Sequence, residues 1–185
     1  TAVTEGGGTD TFTVVLTTQP DSNVVISVVS ADTGEATVSA STLTFTTGNW
    51  DSAQTITVTG VDDDIIDGSI NTTITLAVVD GSSDNNFDPL ANQTVTAATA
   101  DNDSAGFTVT QSSGSTAVTE GGGTDTFTVV LTAEPDSNVV ISVVSADTGE
   151  ATVSASTLTF TNGNWDSAQT ITVTGVDDDI IDGSI

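Results

Sequence analysis

Two loops carry the residues whose types and spacing could do chemistry. Residues 61–70 read VDDDIIDGSI and hold Asp62, Asp63, Asp64 and Asp67; the same string returns at 176–185 with Asp177, Asp178, Asp179 and Asp182. A second cluster, ADNDSAGF, holds Asp101, Asn102 and Asp103. Two further acids stand apart: Glu5, ahead of Gly6, Gly7 and Gly8, and Asp32 in SADTGE. Neighbouring aspartates repel by roughly 1 kcal/mol per 4 Å pair in water, and by several-fold more where partly buried. The chain has 26 acids, no Lys, no Arg and no His, a formal charge of −26. It therefore contains no side-chain cation to offset the repulsion. An external cation must do so, or the loops must splay into solvent and serve only to keep the chain soluble. Hard oxygen donors without nitrogen or sulfur ligands favour calcium over zinc or copper. Calcium takes six to eight oxygens at about 2.3–2.6 Å in a flexible shell, whereas magnesium demands a rigid octahedron. Calcium is the cofactor these loops imply.

The absent residue types exclude other chemistry. Nucleic-acid binding needs Lys or Arg against phosphates, and an anionic membrane would repel this chain. No apolar run reaches the length of a membrane helix. General acid–base work near neutral pH would rest on carboxylates alone. Asp32-Thr33-Gly34 and Asp147-Thr148-Gly149 spell the aspartic-protease tripeptide. They sit at one position of two separate repeats, flanked by Ser30-Ala31 and Glu35 and not by an apolar strand, so a shared-proton dyad is not expected. A glycosidase would need a sugar-binding aromatic cleft, and none is visible. The glycine run lacks a lysine for phosphate and reads as a flexible or ligand-approach loop. No enzymatic activity is expected.

The elements that must position the acids are strands. Phe12, Val14 and Leu16 alternate with Thr11, Thr13 and Val15. Residues 55–59 read T-I-T-V-T, placing Ile56 and Val58 inward; Ile74, Leu76 and Val78 share a face, as do Leu43 and Phe45. Period-two alternation marks half-buried antiparallel strands. Turn chemistry lies between the runs, at Pro20-Asp21-Ser22, Asp32-Thr33-Gly34, Gly48-Asn49, Asp67-Gly68 and Asp80-Gly81. No stretch has helical periodicity. Seven short strands at this spacing predict an all-β, Ig-like antiparallel sandwich. Trp50 and Trp165, at equivalent positions, are expected to plug one end of it; the alternative, a sugar-stacking platform, needs an exposed ring. Ile65 and Ile66 interrupt the acids, as expected if that loop folds back onto a core.

Residues 1–70 recur as 116–185, a period of 115, with three differences: Thr18 against Ala133, Gln19 against Glu134 and Thr47 against Asn162. Near-identity at a fixed period marks an array, and this period fits a whole sandwich with a short junction. The expected repeats are 1–105, with its first strand outside the chain, and 106–185, cut before its last strands. GFTVTQ at 106–111 has no counterpart before Thr1, and residues 71–105 have no second copy. A fragment of a longer array is expected. Strand lending between molecules is the alternative, but it does not readily supply the 35 residues (71–105) lacking from the second copy.

TEGGG before the first long strand, the VDDD-I-I-D loop and the terminal D-N-D-S-A-G-F together resemble the Calx-beta repeat, over essentially the whole period. That family includes calcium-sensing domains of sodium–calcium exchangers and tandem repeats of large bacterial surface proteins. The resemblance implies a seven-stranded sandwich with calcium clustered at the end facing the next repeat. It implies ligands at Glu5, Asp32, Asp62, Asp63, Asp67, Asp101 and Asp103, with Ile65 giving a backbone carbonyl. In the second copy it implies Glu120, Asp147, Asp177, Asp178, Ile180 and Asp182. Asn102 replaces a middle aspartate, and Ser69 and Ile70 stand where exchanger domains carry a further acid, which implies fewer or weaker ions. The function expected is a calcium-binding structural repeat of an extracellular or cell-surface bacterial stalk, filament or adhesin array. Its expected partners are neighbouring repeats and other copies in a fibre, without nucleic acid or membrane insertion. A calcium-sensing regulatory module is the second reading; near-identical copies suit a spacer better. A carbohydrate-binding module is the third.

Overall fold

The computed structural model describes residues 1–179. It is all-β apart from a single 3-10 turn at Ser112–Gly114. The chain divides into two compact units, residues 1–63 with 67–102, and residues 64–66 with 103 onward.

The first unit holds β1 (Ala2–Thr4), β2 (Thr9–Val14), β3 (Val24–Ser30), β4 (Ala36–Val38), β5 (Thr42–Phe45), β6 (Gln54–Gly60), β7 (Ile70–Val78) and β8 (Gln93–Ala100). One sheet runs β1-β8-β7-β3-β5 and the other β2-β6-β4. That makes eight strands where the alternation predicts seven. The extra one is short β1, whose Val3 is buried and which joins β8 in parallel while every other pair is antiparallel. Thr and Val dominate these segments because β-branched side chains fit a pleated, half-buried surface. The residues expected inward are inward: Ile56, Val58, Ile74 and Phe45 are all fully buried, and Leu43 and Leu76 nearly so. Trp50 is half-buried against this core, as a plug and not as an open ring platform.

The second unit holds β9 (Phe107–Gln111), β10 (Thr124–Leu131), β11 (Val139–Ser142), β12 (Ala151–Val153), β13 (Thr157–Phe160) and β14 (Gln169–Gly175). Its sheets run β12-β14-β10-β9 and β11-β13, around Val129, Leu131, Leu158, Phe160 and Ile171. The sequence repeat is therefore a structural one: β10 pairs with β14 in the register that β2 keeps with β6, Phe127 opposite Ile171 as Phe12 is opposite Ile56.

Ile65 and Ile66 do not fold onto a core. They are 40% and 45% exposed, in a segment where Ile65 forms an isolated bridge with Glu134. Two adjacent apolar residues among four aspartates could not both turn inward without dragging carboxylates with them.

One glycine fixes how β1 enters the sandwich. A Cβ on Gly60 would strike the Thr4 carbonyl and crowd the Glu5 amide, and Gly175 stands in the same relation to Thr119 and Glu120. Gly60→Ala is expected to cost about 1–3 kcal/mol through overpacking and to displace Glu5. Thermal unfolding should show the loss, and the same change at Gly175 should affect the other unit alone.

Candidate metal centre

The acids of the first unit gather where strands end. β1 delivers Glu5, β6 delivers Asp62 and Asp63, β8 delivers Asp101, and the turns before β4 and β7 deliver Glu35 and Asp67. The backbone holds each approach: the Glu5 amide donates to the Ala100 carbonyl (3.1 Å), and the Val61 amide to the Glu35 carbonyl (2.9 Å).

Glu35, Asp63 and Asp67 each offer a carboxylate oxygen, all within 4.8 Å of one another. Two oxygens bound to one calcium at about 2.4 Å can be at most about 5 Å apart, so this spacing fits a shared ion. Glu35 Oε2 is buried and has no hydrogen-bond partner. Burial pushes the Glu35 carboxyl above its ordinary 4.5, and Asp67, Asp63, Asp32 and Glu5 push the same way. A carboxylate oxygen withdrawn from water and facing other carboxylates is poorly satisfied without a cation. The residues present therefore fit a divalent ion.

Beside this trio lies a second carboxylate pairing. Glu5 is only 4% exposed. Glu5 and Asp101 also bring carboxylate oxygens within 4.8 Å. The Asn102 amide donates to Glu5 Oε2 (3.1 Å), the Asn102 side chain to Asp62 Oδ1 (3.0 Å), and the Gly68 amide to Asp101 Oδ2 (2.8 Å). Burial raises the Glu5 carboxyl; the Asn102 hydrogen bond opposes it, and Asp63, Asp101 and Asp67 add to the rise. Asn102 thus works as a donor that ties Glu5 to Asp62, a role an aspartate could not play.

Asp32 is exposed, and its Oδ1 accepts from the Gly34 amide within its own turn (2.9 Å). The acid of SADTGE that reaches the other carboxylates is Glu35, three residues on, which the sequence reading passed over. The signal lies in the fold: Glu35 directly precedes β4, whose Ala36 pairs with Gly60 next to the aspartate loop. Asp103 is half-buried and opens the second unit. In that unit Glu120, Asp147, Asp177 and Asp178 are all exposed, and no group of three acids lies together within it among the described residues. Glu5 is buried where β1 joins β8, and the described residues contain no counterpart of β8 for the segment before Glu120. Ile180 and Asp182 lie outside the described residues.

Other acids are structural. Asp84, 5% exposed, accepts from the amides of Asp21 (2.6 Å), Ser22 (3.2 Å) and Asn86 (2.9 Å), and these bonds hold its carboxyl below 3.8. Asp10 accepts from Ala2 and Thr11, and Asp125 from Ser112, Ala117 and Thr126; both are lowered likewise.

The two classes act oppositely on stability. Glu5 and Glu35 keep protons that the unfolded chain has released, so in chelator stability falls as pH rises from about 4.5 through their raised values. Asp10, Asp84 and Asp125 lose theirs more readily when folded, so their contribution is lost as pH falls below about 3.8. Chelated protein should therefore unfold at its highest temperature near pH 4, with a decline toward neutrality that calcium abolishes. A pH series of melting curves checks both limbs.

The Calx-beta domain model matches residues 1–103 and again residues 101–184. No curated protein matches the chain. Among solved structures, CBD12 from CALX1.2 is 17% identical at a TM-score of 0.37, covering 97% of this chain and 73% of that one. The calcium-binding domain CBD12 of CALX1.1 is likewise 17% identical at 0.37, covering 96% and 73%. SSP-19 of Caenorhabditis elegans, described as like the MSP-domain proteins, is 13% identical at 0.35, covering 54% and 92%.

Proposed function

Since the chain belongs to the Calx-beta domain family, we propose that it is a calcium-binding structural repeat, working as a spacer in an extracellular stalk. The observation that carries the reading is Glu35, with a buried and unpartnered carboxylate oxygen beside Asp63 and Asp67 in a chain without Lys, Arg or His. Bound there, calcium would supply positive charge and oxygen coordination and no reactive chemistry. Glu35, Asp63 and Asp67 would hold one ion. Glu5 and Asp101, oriented through Asn102 and Gly68, would hold or support a second. Hydrogen bonds from the Val61 amide to the Glu35 carbonyl and from the Gly68 amide to Asp101 tie the aspartate loop to its neighbours, which would limit the reordering that binding needs. The near-identity of residues 1–70 and 116–185 supports a spacer, which gains from repetition, over a regulator.

Calorimetric titration of the whole chain tests the site. Saturable calcium binding is expected, weakened at least about tenfold by Glu35→Gln with Asp67→Asn, since each removes a charge from the shell. Asp32→Asn should leave it nearly unchanged. Equal binding by all three proteins would refute this ligand set. Small-angle scattering tests the stalk: calcium should change the profile toward a stiffer particle, and identical profiles in calcium and chelator would refute that part.

A further inference from the structure

Two threonines are buried in the first unit near the strand ends where the acids gather. Thr72 and Thr99 are 3% and 1% exposed. They stand on β7 and β8 at inward positions that apolar residues hold elsewhere along the same strands, Ile74 and Leu76 on β7 and Ala97 on β8. Valine has almost the shape of threonine, so the hydroxyl is what needs a physical account. A hydroxyl withdrawn from water costs free energy unless a partner replaces the water. Thr72 Oγ1 has no such partner. Thr99 Oγ1 has one: it donates to the main-chain carbonyl of Glu35 (3.3 Å).

The Glu35–Ala36 peptide is held on both sides. Its N–H, on Ala36, donates to the Asp32 carbonyl (3.1 Å), and its carbonyl accepts from the Val61 amide (2.9 Å) as well as from Thr99. The first two bonds join segments that flank β4 and β6, both in the three-stranded sheet. The third comes from the five-stranded sheet, from a strand that reaches Asp101 two residues later. The carboxylate trio also spans the two sheets. Glu35 and Asp63 flank β4 and β6, while Asp67 leads into β7. Calcium holds its oxygens within a narrow range of distances, so an ion shared by all three needs the ends of the two sheets kept at a fixed spacing. From this we infer that Thr99 is a positioning residue, whose hydroxyl pins the Glu35 turn to β8 and so sets the Glu35 carboxylate for a cation shared with Asp63 and Asp67. The inference rests on the metal reading above and adds to it a residue that carries no charge.

Thr99→Val, Thr99→Ser and Thr72→Val in the whole chain test it. Thr99→Val should weaken calcium binding about tenfold by calorimetric titration, the low end of what a metal site loses with the support of a ligand. Thr99→Ser keeps the hydroxyl and should bind as the unaltered chain does. Thr72→Val removes the unpartnered hydroxyl and should also leave binding unchanged. In chelator Thr99→Val should melt close to the unaltered chain, because the Glu35 carbonyl keeps the Val61 amide. The Val61 amide should nonetheless exchange its hydrogen faster in that variant, as the turn loosens. Calcium affinity untouched by Thr99→Val overturns the inference. So does a loss of affinity that Thr72→Val matches, or one accompanied by an equal loss of stability in chelator, since either makes Thr99 a packing residue alone. A chain that takes up no calcium before any substitution refutes the metal reading itself and carries this inference with it.

Discussion

In millimolar calcium the first repeat unfolds about 10 °C or more above its melting temperature in chelator, and the second repeat shifts by less. The size follows from linkage. A ligand present at a hundred times its dissociation constant and bound only to the folded state adds about 2.7 kcal/mol. In a domain of roughly 100 residues each kcal/mol moves the midpoint by about 4–8 °C. The asymmetry follows from geometry. Glu35, Asp63 and Asp67 converge in the first unit, whereas among the described residues of the second no such trio forms around Glu150, the half-buried counterpart of Glu35, and Glu120, Asp147, Asp177 and Asp178 are exposed. Calorimetric scans should resolve two transitions with unequal calcium responses. Equal shifts would mean that the exposed acids of the second unit bind as well as the convergent ones.

Phe45→Ala costs the first repeat about 3–5 kcal/mol, the usual range for removing a buried aromatic ring. Phe45 is fully buried between the two sheets, and Phe160 is its equivalent in the second unit. That cost approaches the whole stability of a small domain. The two substitutions should be separable: Phe45→Ala should abolish the calcium-sensitive transition and leave the other in place, and Phe160→Ala should do the reverse. Circular dichroism melts of each variant, with and without calcium, read this directly. Simultaneous loss of both transitions from either change would contradict two separate cores.

Much of this was legible in the sequence. Alternation in residues 42–45, 54–60 and 70–78 assigned the inward faces correctly because a strand with one buried face has little freedom of register. The period of 115 gave the repetition of the β2–β6 pairing. What alternation could not give was β1, whose three residues are too short for a pattern and whose parallel pairing depends on β8, some 95 residues away. The expectation for Ile65 and Ile66 failed because apolar residues inside an acidic loop need not be buried.

The candidate site was legible in part. The aspartate loop and Glu5 were found through residue type and charge density. Asp32 and Glu35 belong to one turn, and only the fold decides which of them reaches Asp63; Asp32 is occupied by Gly34. Nor does composition separate a metal-binding acid from a structural one. Asp84 is more deeply buried than Asp63, yet three backbone amides satisfy it. The distinction lies in what faces each carboxylate: N–H groups for Asp84, other carboxylates for Glu35.

The most direct measurement is a crystal structure grown in millimolar calcium at a resolution that shows coordination. Density for an ion about 2.3–2.6 Å from oxygens of Glu35, Asp63 and Asp67 is the predicted result. Water alone among those three side chains, with Glu35 turned outward to solvent, would contradict the claim that a cation holds this end of the sandwich together.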